Sequence, residues 1–379
     1  MSWNLTTGSS AQGVRSSGEN RVLIAMSGGV DSSVAAFLLQ KEKCECTGAM
    51  MKLFDAEAHG GEENAKGCCT LSDAEDARAV AQRLNMPFYV FNFTEMFERE
   101  VMHRFADAYQ RGITPNPCID CNRFIKFEKF LHRAHELEHG YIATGHYAQI
   151  VQRDDGRWLL KKGLDDTKDQ SYVLYAMTQK QLAHTLFPLG KLTKNEVREI
   201  AQKAGLVNAK KRDSQDICFA PDGDYAGFIE GYGKKMCKPT GAEGNFIDMQ
   251  GRILGKHRGL IHYTVGQRKG LGVSAPNPLY VLSVNPFGNT VTLGTNDRLF
   301  TRTLTAKEIN LIPFDTLPAP MRVTAKIRYS HAAQPATLAQ TSEDELRLQF
   351  DEPQRAITPG QAVVLYDGDV VIGGGTIIG

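Results

Sequence analysis

The chain has 379 residues, more than one average hydrophobic core accommodates, and this length predicts two or three domains. Apolar residues make up 42% of it, which is ordinary for a globular protein and argues against a disordered chain. The 44 basic and 43 acidic residues nearly balance, so charge alone does not indicate a nucleic-acid partner. No apolar run reaches about eighteen residues, so we expect no membrane partner and a cytoplasmic location.

The first half of the chain alternates strand and helix patterns. After a segment rich in Ser, Gly and Thr (residues 1–20), which predicts a flexible tail, four apolar runs predict strands: Val22–Met26, Thr47–Phe54, Phe88–Phe91 and Tyr141–Ala143. Helical periodicities separate these runs, and a capping box from Thr193 to Glu196 predicts a further helix. The alternation predicts an α/β fold with an open, mostly parallel sheet, whose ligands bind at the carboxyl ends of the strands.

From about Thr240 the helical periods give way to short β-rich runs separated by Gly, Pro, Asn and Asp. The predicted strands are His262–Val265, Tyr280–Val284, Thr290–Leu293, Arg322–Tyr329, Leu346–Phe350, Ala362–Tyr366 and Val370–Ile372. The Asp367-Gly368 pair between the last two is a hairpin signal. After the tail we therefore expect an α/β domain at residues 21–215, a small central domain at 216–285 and a C-terminal β-barrel at 286–379.

A glycine-rich turn follows the first predicted strand and leads into a helix. It consists of Ala25, Met26, Ser27, Gly28, Gly29, Val30, Asp31 and Ser32. Small residues let the backbone approach a phosphate group, and the N–H groups at the helix start then converge on it. The spacing differs from that of a Walker loop and the phosphate-binding lysine is absent, which favours a site that binds pyrophosphate as a leaving group. An ordinary glycine turn is the alternative, which the strand–turn–helix context disfavours.

This string resembles the PP-loop of ATP pyrophosphatases, enzymes that adenylate a substrate and release pyrophosphate. The resemblance implies that ATP and Mg²⁺ are the cofactors and that residues 21–215 form the catalytic domain. The class also contains ligases that act on small metabolites, so the loop alone does not select a substrate.

Eight cysteines occur in a chain without an export signal, a setting in which clustered cysteines indicate metal binding or catalysis more often than disulfides. Cys118 and Cys121 lie at a predicted helix start, where the helix dipole favours the thiolate. Cys218 follows the basic run Lys210–Arg212. The remaining cysteines are interpreted as buried (Cys44, Cys46 and Cys237) or receive no role (Cys68 and Cys69).

Together these segments resemble the bacterial tRNA-specific 2-thiouridylase family, MnmA or TrmU, from Arg21 to the C-terminus. The ordered set of matching segments is specific, although each one alone is weak. It comprises the phosphate loop, Thr114–Pro117, Cys121–Phe127, Ala143–Ala148, Lys168–Ser171, Ser214–Phe219, Tyr263–Gly270, Arg328-Tyr329 and Pro359–Gln361.

The resemblance implies a reaction on the wobble uridine of lysine, glutamate and glutamine tRNAs. ATP adenylates the C2 carbonyl, and a persulfide on Cys218, loaded by a cysteine desulfurase or sulfur-relay protein, delivers sulfur to the activated carbon. Cys121 then attacks the persulfide, which releases 2-thiouridine and leaves a Cys121–Cys218 disulfide; AMP and pyrophosphate are the other products. Met51 and Gly145 are implied at the nucleotide.

The same resemblance implies a set of tRNA contacts. They are Asn116, Pro117, Cys118, His146, Lys168, Asp169, Gln170, Arg328, Tyr329 and Gln361. His146 is also interpretable as a structural histidine. The family commonly has Asp where this chain has Cys118, which leaves the acid–base residue open, with Asp120 as a nearby alternative.

Three further hypotheses remain open. Cys118, Cys121 and Cys218 could together bind a [4Fe–4S] cluster whose open iron carries the sulfur. A PP-loop ligase for a small metabolite would need no essential cysteine. A tRNA-binding or iron–sulfur carrier with a degenerate loop would release no pyrophosphate.

Overall fold

The computed structural model describes residues 3, 20–54, 71–211, 217–220, 223–235 and 241–379. Its strands are β1 (Arg21–Ala25), β2 (Glu45–Lys52), β3 (Phe88–Asn92), β4 (Tyr141–Ala143), β5 (Ala148–Gln152), β6 (Trp158–Lys162), β7 (Thr185–Leu186), β8 (Gly244–Ile247), β9 (Ile253–His257), β10 (Tyr280–Asn285), β11 (Thr290–Gly294), β12 (Phe300–Leu311), β13 (Met321–Lys326), β14 (Gln334–Ser342), β15 (Glu345–Arg355), β16 (Ala362–Asp367) and β17 (Val370–Ile377).

The α-helices are α1 (Val30–Lys41), α2 (Leu71–Arg83), α3 (Thr94–Phe97), α4 (Arg104–Gln110), α5 (Pro117–Asp120), α6 (Phe130–Glu136), α7 (Gln179–Ala183), α8 (Lys194–Lys203) and α9 (Tyr225–Lys235). Two segments, Glu98–His103 and Cys121–Lys129, are π-helical. The chain forms two units: residues 1–100, 118–221 and 368–372, and residues 101–117, 222–367 and 373–379. Among the described residues, no helix is long and apolar enough to cross a bilayer.

The first unit is built on a parallel sheet with the strand order β3-β2-β1-β4-β7. Val22, Leu23 and Ile24 in the central strand β1 are fully buried, as expected for a strand that helices cover on both faces. The four strands predicted from apolar runs are all present, and the predicted open parallel α/β fold is confirmed. Of the five strands of this sheet, the short edge strand β7 is the one that the sequence analysis did not predict.

Helix α8 packs beside α1 through Val197 and Ala201, which share a buried cluster with Val34. Its start shows the predicted capping box. The Thr193 side chain accepts a hydrogen bond from the backbone N–H of Glu196, and the Glu196 carboxylate accepts one from the backbone N–H of Thr193. Two orphan N–H groups are thereby satisfied, so local sequence alone defines where this helix begins.

The second unit contains two β-structures. A four-stranded sheet of order β10-β11-β8-β9 surrounds the fully buried Phe246. Strands β12-β15-β14-β13-β16-β17 follow in that order, and β17 pairs again with β12, which closes the predicted C-terminal barrel. Gly368 has a positive φ of 60° in the turn between β16 and β17, where the Asp-Gly signal predicted a hairpin.

One predicted strand is wrong. Leu260–His262 forms a 3₁₀ turn, and His262–Val265 contains no strand. Leu260 and Tyr263 are buried against the cluster around Phe246, so their apolar character reflects the packing of a turn and not strand pairing. Several predicted features lie outside the described residues: most of the tail at 1–20, the boundary between 215 and 216, and Cys68, Cys69 and Cys237.

Candidate active site

The predicted phosphate loop connects the buried end of β1 to the start of α1. The residue before the helix, Gly29, is extended (φ −84°, ψ 162°), and no described side chain caps the helix there. The first N–H groups of a helix have no intrahelical partner, and they carry the positive end of the helix dipole. The start of α1 is therefore suited to an anion.

Two serines and a glycine give the loop its shape. The Ser32 hydroxyl donates to the Gly29 carbonyl oxygen (3.1 Å) and accepts from the Ser27 backbone N–H (3.3 Å). Gly28 has a positive φ of 72°, and a Cβ placed there would lie 2.3 Å from the carbonyl oxygen of Asp73. Because of this close approach, no larger residue fits at Gly28 without displacing helix α2.

The other residues expected at the nucleotide lie at the same edge of the sheet. Gly145 follows β4, and a Cβ on it would lie 2.7 Å from the backbone nitrogen of Ser32 in the first turn of α1. Met51 lies beyond the end of β1 on the neighbouring strand β2, since Ala25 pairs with Ala49. The structure thus brings the loop, Gly145 and Met51 together at the carboxyl ends of three adjacent strands, as expected for a ligand site of this fold.

The three cysteines expected to act in the reaction lie in the first unit, and none of the three is in a disulfide. Cys118 is exposed in α5, Cys121 is buried at the start of the π-helical segment, and Cys218 is half-buried. The next residue, Phe219, is held by an edge contact with Phe97 at 5.9 Å between ring centroids. In the described parts of the chain, no group of three His, Cys, Asp or Glu side chains is arranged to hold a metal.

Two other cysteines behave as the sequence predicted. Cys44 and Cys46 are buried near the start of β2, and burial raises the pKa of their thiols to about 11 and about 12. At neutral pH both therefore remain protonated, which is the unreactive form. Their chemistry is that of small apolar core residues.

His146 lies inside the first unit, with only 7% of its surface exposed. Its Nδ1 hydrogen-bonds the Thr144 hydroxyl (2.7 Å), and the rings of Phe127 and Phe187 each lie 5.8 Å from its ring. Burial, with a contribution from the charge of Lys126, holds the pKa of His146 well below 6.5. This geometry agrees with the interpretation of His146 as a structural histidine. Its contact with tRNA remains a prediction.

The buried neutral His146 has a consequence for stability. Below about pH 6.5 the unfolded chain binds a proton at this position that the folded protein does not, so falling pH favours unfolding. This one group is expected to lower the free energy of unfolding by up to about 1.4 kcal/mol between pH 7.5 and 5.5. The check is urea denaturation of the wild type and of His146→Gln at pH 7.5 and 5.5. The free energy of unfolding should fall less between these pH values in His146→Gln than in the wild type.

Other histidines keep part of this pH dependence in the variant, because burial lowers their pKa as well. They are His139, His257, His262 and His331. An equal loss of stability in the wild type and in His146→Gln would contradict a neutral buried His146.

The Lys168–Gln170 segment shapes its own loop. The Asp169 carboxylate accepts hydrogen bonds from the backbone N–H groups of Gly163 (3.0 Å) and Ser171 (3.1 Å). The side-chain oxygen of Gln170 accepts from the backbone N–H of Tyr147 (3.0 Å). These two side chains therefore organise the turn that presents Lys168, while their predicted contact with tRNA remains a prediction.

In the second unit, two predicted tRNA contacts also make internal hydrogen bonds. Arg328 donates to the Ala356 carbonyl and to the Thr358 hydroxyl (3.2 Å). Gln361 donates to the Thr114 carbonyl (2.8 Å), just before the predicted base-contacting residues Asn116 and Pro117.

Tyr329 differs from these residues because it is 43% exposed. The Lys326 ammonium lies 5.7 Å from the centre of its ring. An exposed ring beside a cation is suited to stacking on a base and contacting a phosphate.

Lys194 was not identified from the sequence, yet it contacts the loop. Its Nζ donates to both carboxylate oxygens of Asp31 (2.7 and 2.8 Å), and Tyr147 donates to one of them (2.8 Å). Its position at the start of α8, directly after the capping Thr193, was predictable, but its partner 163 residues away was not.

A second unpredicted cluster lies on α2. Lys211 Nζ donates to Asp73 (2.7 Å) and Asp76 (2.5 Å). Burial lowers the pKa of Lys211, but the bonds to the two carboxylates outweigh it, so the pKa is raised. The central lysine of the basic run before Cys218 is thus ion-paired within the first unit.

An open parallel sheet with this serine–glycine loop between β1 and α1 defines the PP-loop class of nucleotide-binding α/β proteins. Three family models match: "tRNA methyl transferase HUP domain" at residues 20–222, "tRNA methyl transferase PRC-barrel domain" at 233–295 and "Aminomethyltransferase beta-barrel domain" at 301–377. The chain belongs to the tRNA-specific 2-thiouridylase (MnmA) family.

Relatives in this family match over nearly their whole length. The chain is 51% identical over 362 residues to the tRNA-specific 2-thiouridylase MnmA of Clostridioides difficile (94% of this chain, 98% of that protein). It is 50% identical over 358 residues to the same enzyme of Lachnoclostridium phytofermentans (94% and 99%). A solved structure, the U34-tRNA thiolase NcsA from Methanococcus maripaludis with its [4Fe-4S] cluster, is 17% identical with a TM-score of 0.34 (58% of this chain, 68% of that one).

Proposed function

We propose that the protein is an ATP-dependent tRNA 2-thiouridylase, which replaces the C2 oxygen of the wobble uridine with sulfur. The observation that carries this proposal is the identity of about half of all residues with 2-thiouridylases over nearly their whole length. The phosphate loop supports the use of ATP with Mg²⁺. The proposed location is the cytoplasm, where the tRNA substrates are.

In the first step the uracil O2 attacks the α-phosphorus of ATP, and pyrophosphate leaves. The N–H groups at Gly29 and the start of α1 hold the departing pyrophosphate, and Met51 and Gly145 border the nucleotide. Oxygen is a poor leaving group from a pyrimidine ring. Adenylation corrects this, because the oxygen then departs as part of AMP.

In the second step the terminal sulfur of a Cys218 persulfide attacks C2, the C2–O bond breaks and AMP leaves. The Cys121 thiolate then attacks the inner sulfur on Cys218. This breaks the S–S bond to the transferred sulfur, whose electron pair remains with the thiolated base. The product disulfide Cys121–Cys218 holds the two oxidised thiols, and an external thiol must reduce it before the next turnover.

The iron–sulfur alternative uses Cys118, Cys121 and Cys218 as three cluster ligands. It predicts a visible iron–sulfur absorption band in anaerobically prepared protein, which Cys118→Ser should remove. Absence of that band from a preparation that still thiolates tRNA would exclude the cluster. Conversely, anaerobically prepared protein that shows the band, and that does not thiolate tRNA when a persulfide is added, would exclude the persulfide relay.

The substrate is proposed to be lysine, glutamate and glutamine tRNA, with a cysteine desulfurase or a sulfur-relay protein as donor. The segment Asn116–Cys118 is assigned to the target base. Contacts with the rest of the tRNA are assigned to His146, Lys168, Asp169, Gln170, Arg328, Tyr329 and Gln361. Exposure supports Tyr329 most directly, because its ring is accessible and lies beside Lys326.

The test is mass spectrometry of nucleosides after incubating unmodified glutamate tRNA with protein, ATP and a persulfide donor. We expect one sulfur per tRNA, and none without ATP. The matched control is the same tRNA with cytidine at the wobble position, which should gain no sulfur. No 2-thiouridine from either an aerobic or a cluster-restored anaerobic preparation would contradict the proposal, and pyrophosphate release with a small metabolite would then favour the ligase.

A further inference from the structure

Asn208 lies in the turn after α8 and is 4% exposed. Its side-chain nitrogen contacts the carbonyl oxygens of Gly28 (2.9 Å) and Gly29 (3.1 Å) and the hydroxyl of Ser33 (2.8 Å). A carbonyl oxygen cannot donate a hydrogen bond, so the atom that faces two carbonyls must be the amide nitrogen. Asn208 therefore donates to the backbone of the phosphate loop.

The other half of the same amide supports this interpretation. The Oδ1 atom of Asn208 is buried and has no hydrogen-bond partner among the described residues. Leaving a buried acceptor unsatisfied costs free energy. The fold tolerates this cost while it keeps the donor on the loop carbonyls, which indicates that donation is what this position requires.

Peptide geometry connects these contacts to phosphate binding. In a planar trans peptide, the carbonyl of one residue and the N–H of the next point in opposite directions. Holding the carbonyls of Gly28 and Gly29 toward Asn208 thus directs the N–H groups of Gly29 and Val30 away from it. The Gly29 carbonyl is also held by the hydroxyls of Ser32 and Ser33, so the Gly28 carbonyl depends most on Asn208. Glycine peptides rotate easily, and without this contact the Gly28 carbonyl oxygen is free to turn toward the anion.

Lys194 acts on the same loop from the other end of α8. The Asp31 carboxylate lies in the first turn of α1, where an uncompensated negative charge would repel a phosphate group. Lys194 Nζ bonds both of its oxygens, and only 9% of the Lys194 side chain is exposed. The Asp31 side chain is 29% exposed, and its charge is matched at hydrogen-bond distance by a cation of the protein itself.

We propose that Asn208 and Lys194 are positioning residues that hold the phosphate loop in its anion-binding form from the two ends of α8. Asn208 turns the loop carbonyls away from the anion, and Lys194 cancels the charge of Asp31. The proposal rests on the proposed use of ATP. The ligand that the loop would bind is the polyphosphate part of the nucleotide.

The experiment measures the dissociation constants of ATP and of adenosine by calorimetry, in EDTA so that no metal competes for Asp31. Asn208→Ala and Lys194→Met should each weaken ATP binding by about tenfold or more and leave adenosine binding unchanged. Asn208→Asp should weaken ATP binding further, because its carboxylate faces two carbonyl oxygens. The double variant Asp31→Asn/Lys194→Met, which removes both charges, should recover most of the affinity for ATP.

Adenosine binding also reports that each variant is folded, and Asn208→Ser replaces Asn208→Ala if the latter does not fold. The matched control is Thr47→Val, which removes the buried bond from the Thr47 hydroxyl to His139 (3.0 Å) at the opposite end of the sheet. It should lower stability without changing ATP binding.

Three outcomes would overturn the proposal. The first is ATP binding within twofold of the wild type in Asn208→Ala and Lys194→Met, and the second is an equal loss of ATP and adenosine binding, which indicates a purely structural role. The third is a double variant Asp31→Asn/Lys194→Met that binds ATP no more tightly than Lys194→Met, which would contradict the role proposed for Lys194. A wild type that binds adenosine and not ATP would instead overturn the proposed function itself.

Discussion

Replacing Cys218 with alanine is expected to lower the rate of 2-thiouridine formation by about a thousandfold or more, while tRNA-dependent pyrophosphate release continues. In the proposed mechanism the Cys218 sulfur enters only after the base is adenylated, and the half-buried Cys218 thiol lies outside the phosphate loop. The check is a single-turnover reaction in which pyrophosphate and 2-thiouridine are quantified in the same sample.

Cys121→Ala should stop the reaction one step later. Without the second thiol, the transferred sulfur stays bonded to both C2 and Cys218, so tRNA accumulates on the protein in an adduct that added thiol releases. The adduct is visible as a shifted band on a denaturing gel, and it should be absent from Cys218→Ala.

The matched control for both variants is Cys44→Ala. Cys44 is equally a cysteine of the first unit, but burial raises the pKa of its thiol to about 11. It should thiolate tRNA at the wild-type rate. Loss of pyrophosphate release in Cys218→Ala, or normal thiolation by Cys121→Ala, would contradict the two-thiol relay.

Gly145→Ala is expected to weaken ATP binding by about tenfold to a hundredfold and to destabilise the protein by about 1–3 kcal/mol. The added Cβ would lie 2.7 Å from the Ser32 nitrogen and 2.8 Å from the Asp31 carbonyl carbon. Both contacts are with the backbone of the first turn of α1, which a side-chain rotation cannot relieve. Calorimetry with ATP and urea denaturation measure the two effects.

Gly231→Ala in helix α9 is the control, because nothing lies within 4 Å of a Cβ there. It should raise stability by about 0.5–1 kcal/mol, since alanine favours a helix interior over glycine. Wild-type ATP affinity in Gly145→Ala would show that the turn after β4 yields easily and does not shape the nucleotide site.

Features with a local cause were predictable from the sequence. Strands β1, β2 and β4 are short apolar runs because both faces of the sheet are buried there, whereas the edge strand β3 is apolar but exposes Tyr89 and Val90. The phosphate loop has a signature of its own, since only small residues allow the close backbone approach seen at Gly28. The capping box at Thr193 satisfies backbone groups within three residues, so its motif is complete in the sequence.

The β-rich part was predictable in class and less so in detail. The last two barrel strands, β16 and β17, are continuous apolar runs that are buried along almost their whole length, and the hairpin at Gly368 between them has a turn signal. The long strands β12 and β14 were missed, and His262–Val265 was wrongly predicted to be a strand. Whether such a segment pairs depends on the neighbouring strand, which the segment's own composition does not contain.

By itself, the sequence determined the fold class, the loop that approaches a phosphate and the cysteines proposed to carry sulfur. Only the tertiary structure decided which side chains support that loop. Asn208 meets Gly28 across 180 positions, Lys194 meets Asp31 across 163 and Lys211 meets Asp73 across 138. A periodic pattern reports the neighbours of a residue along its own helix or strand, whereas these contacts arise only when packing brings α8 and the turn after it against α1 and α2.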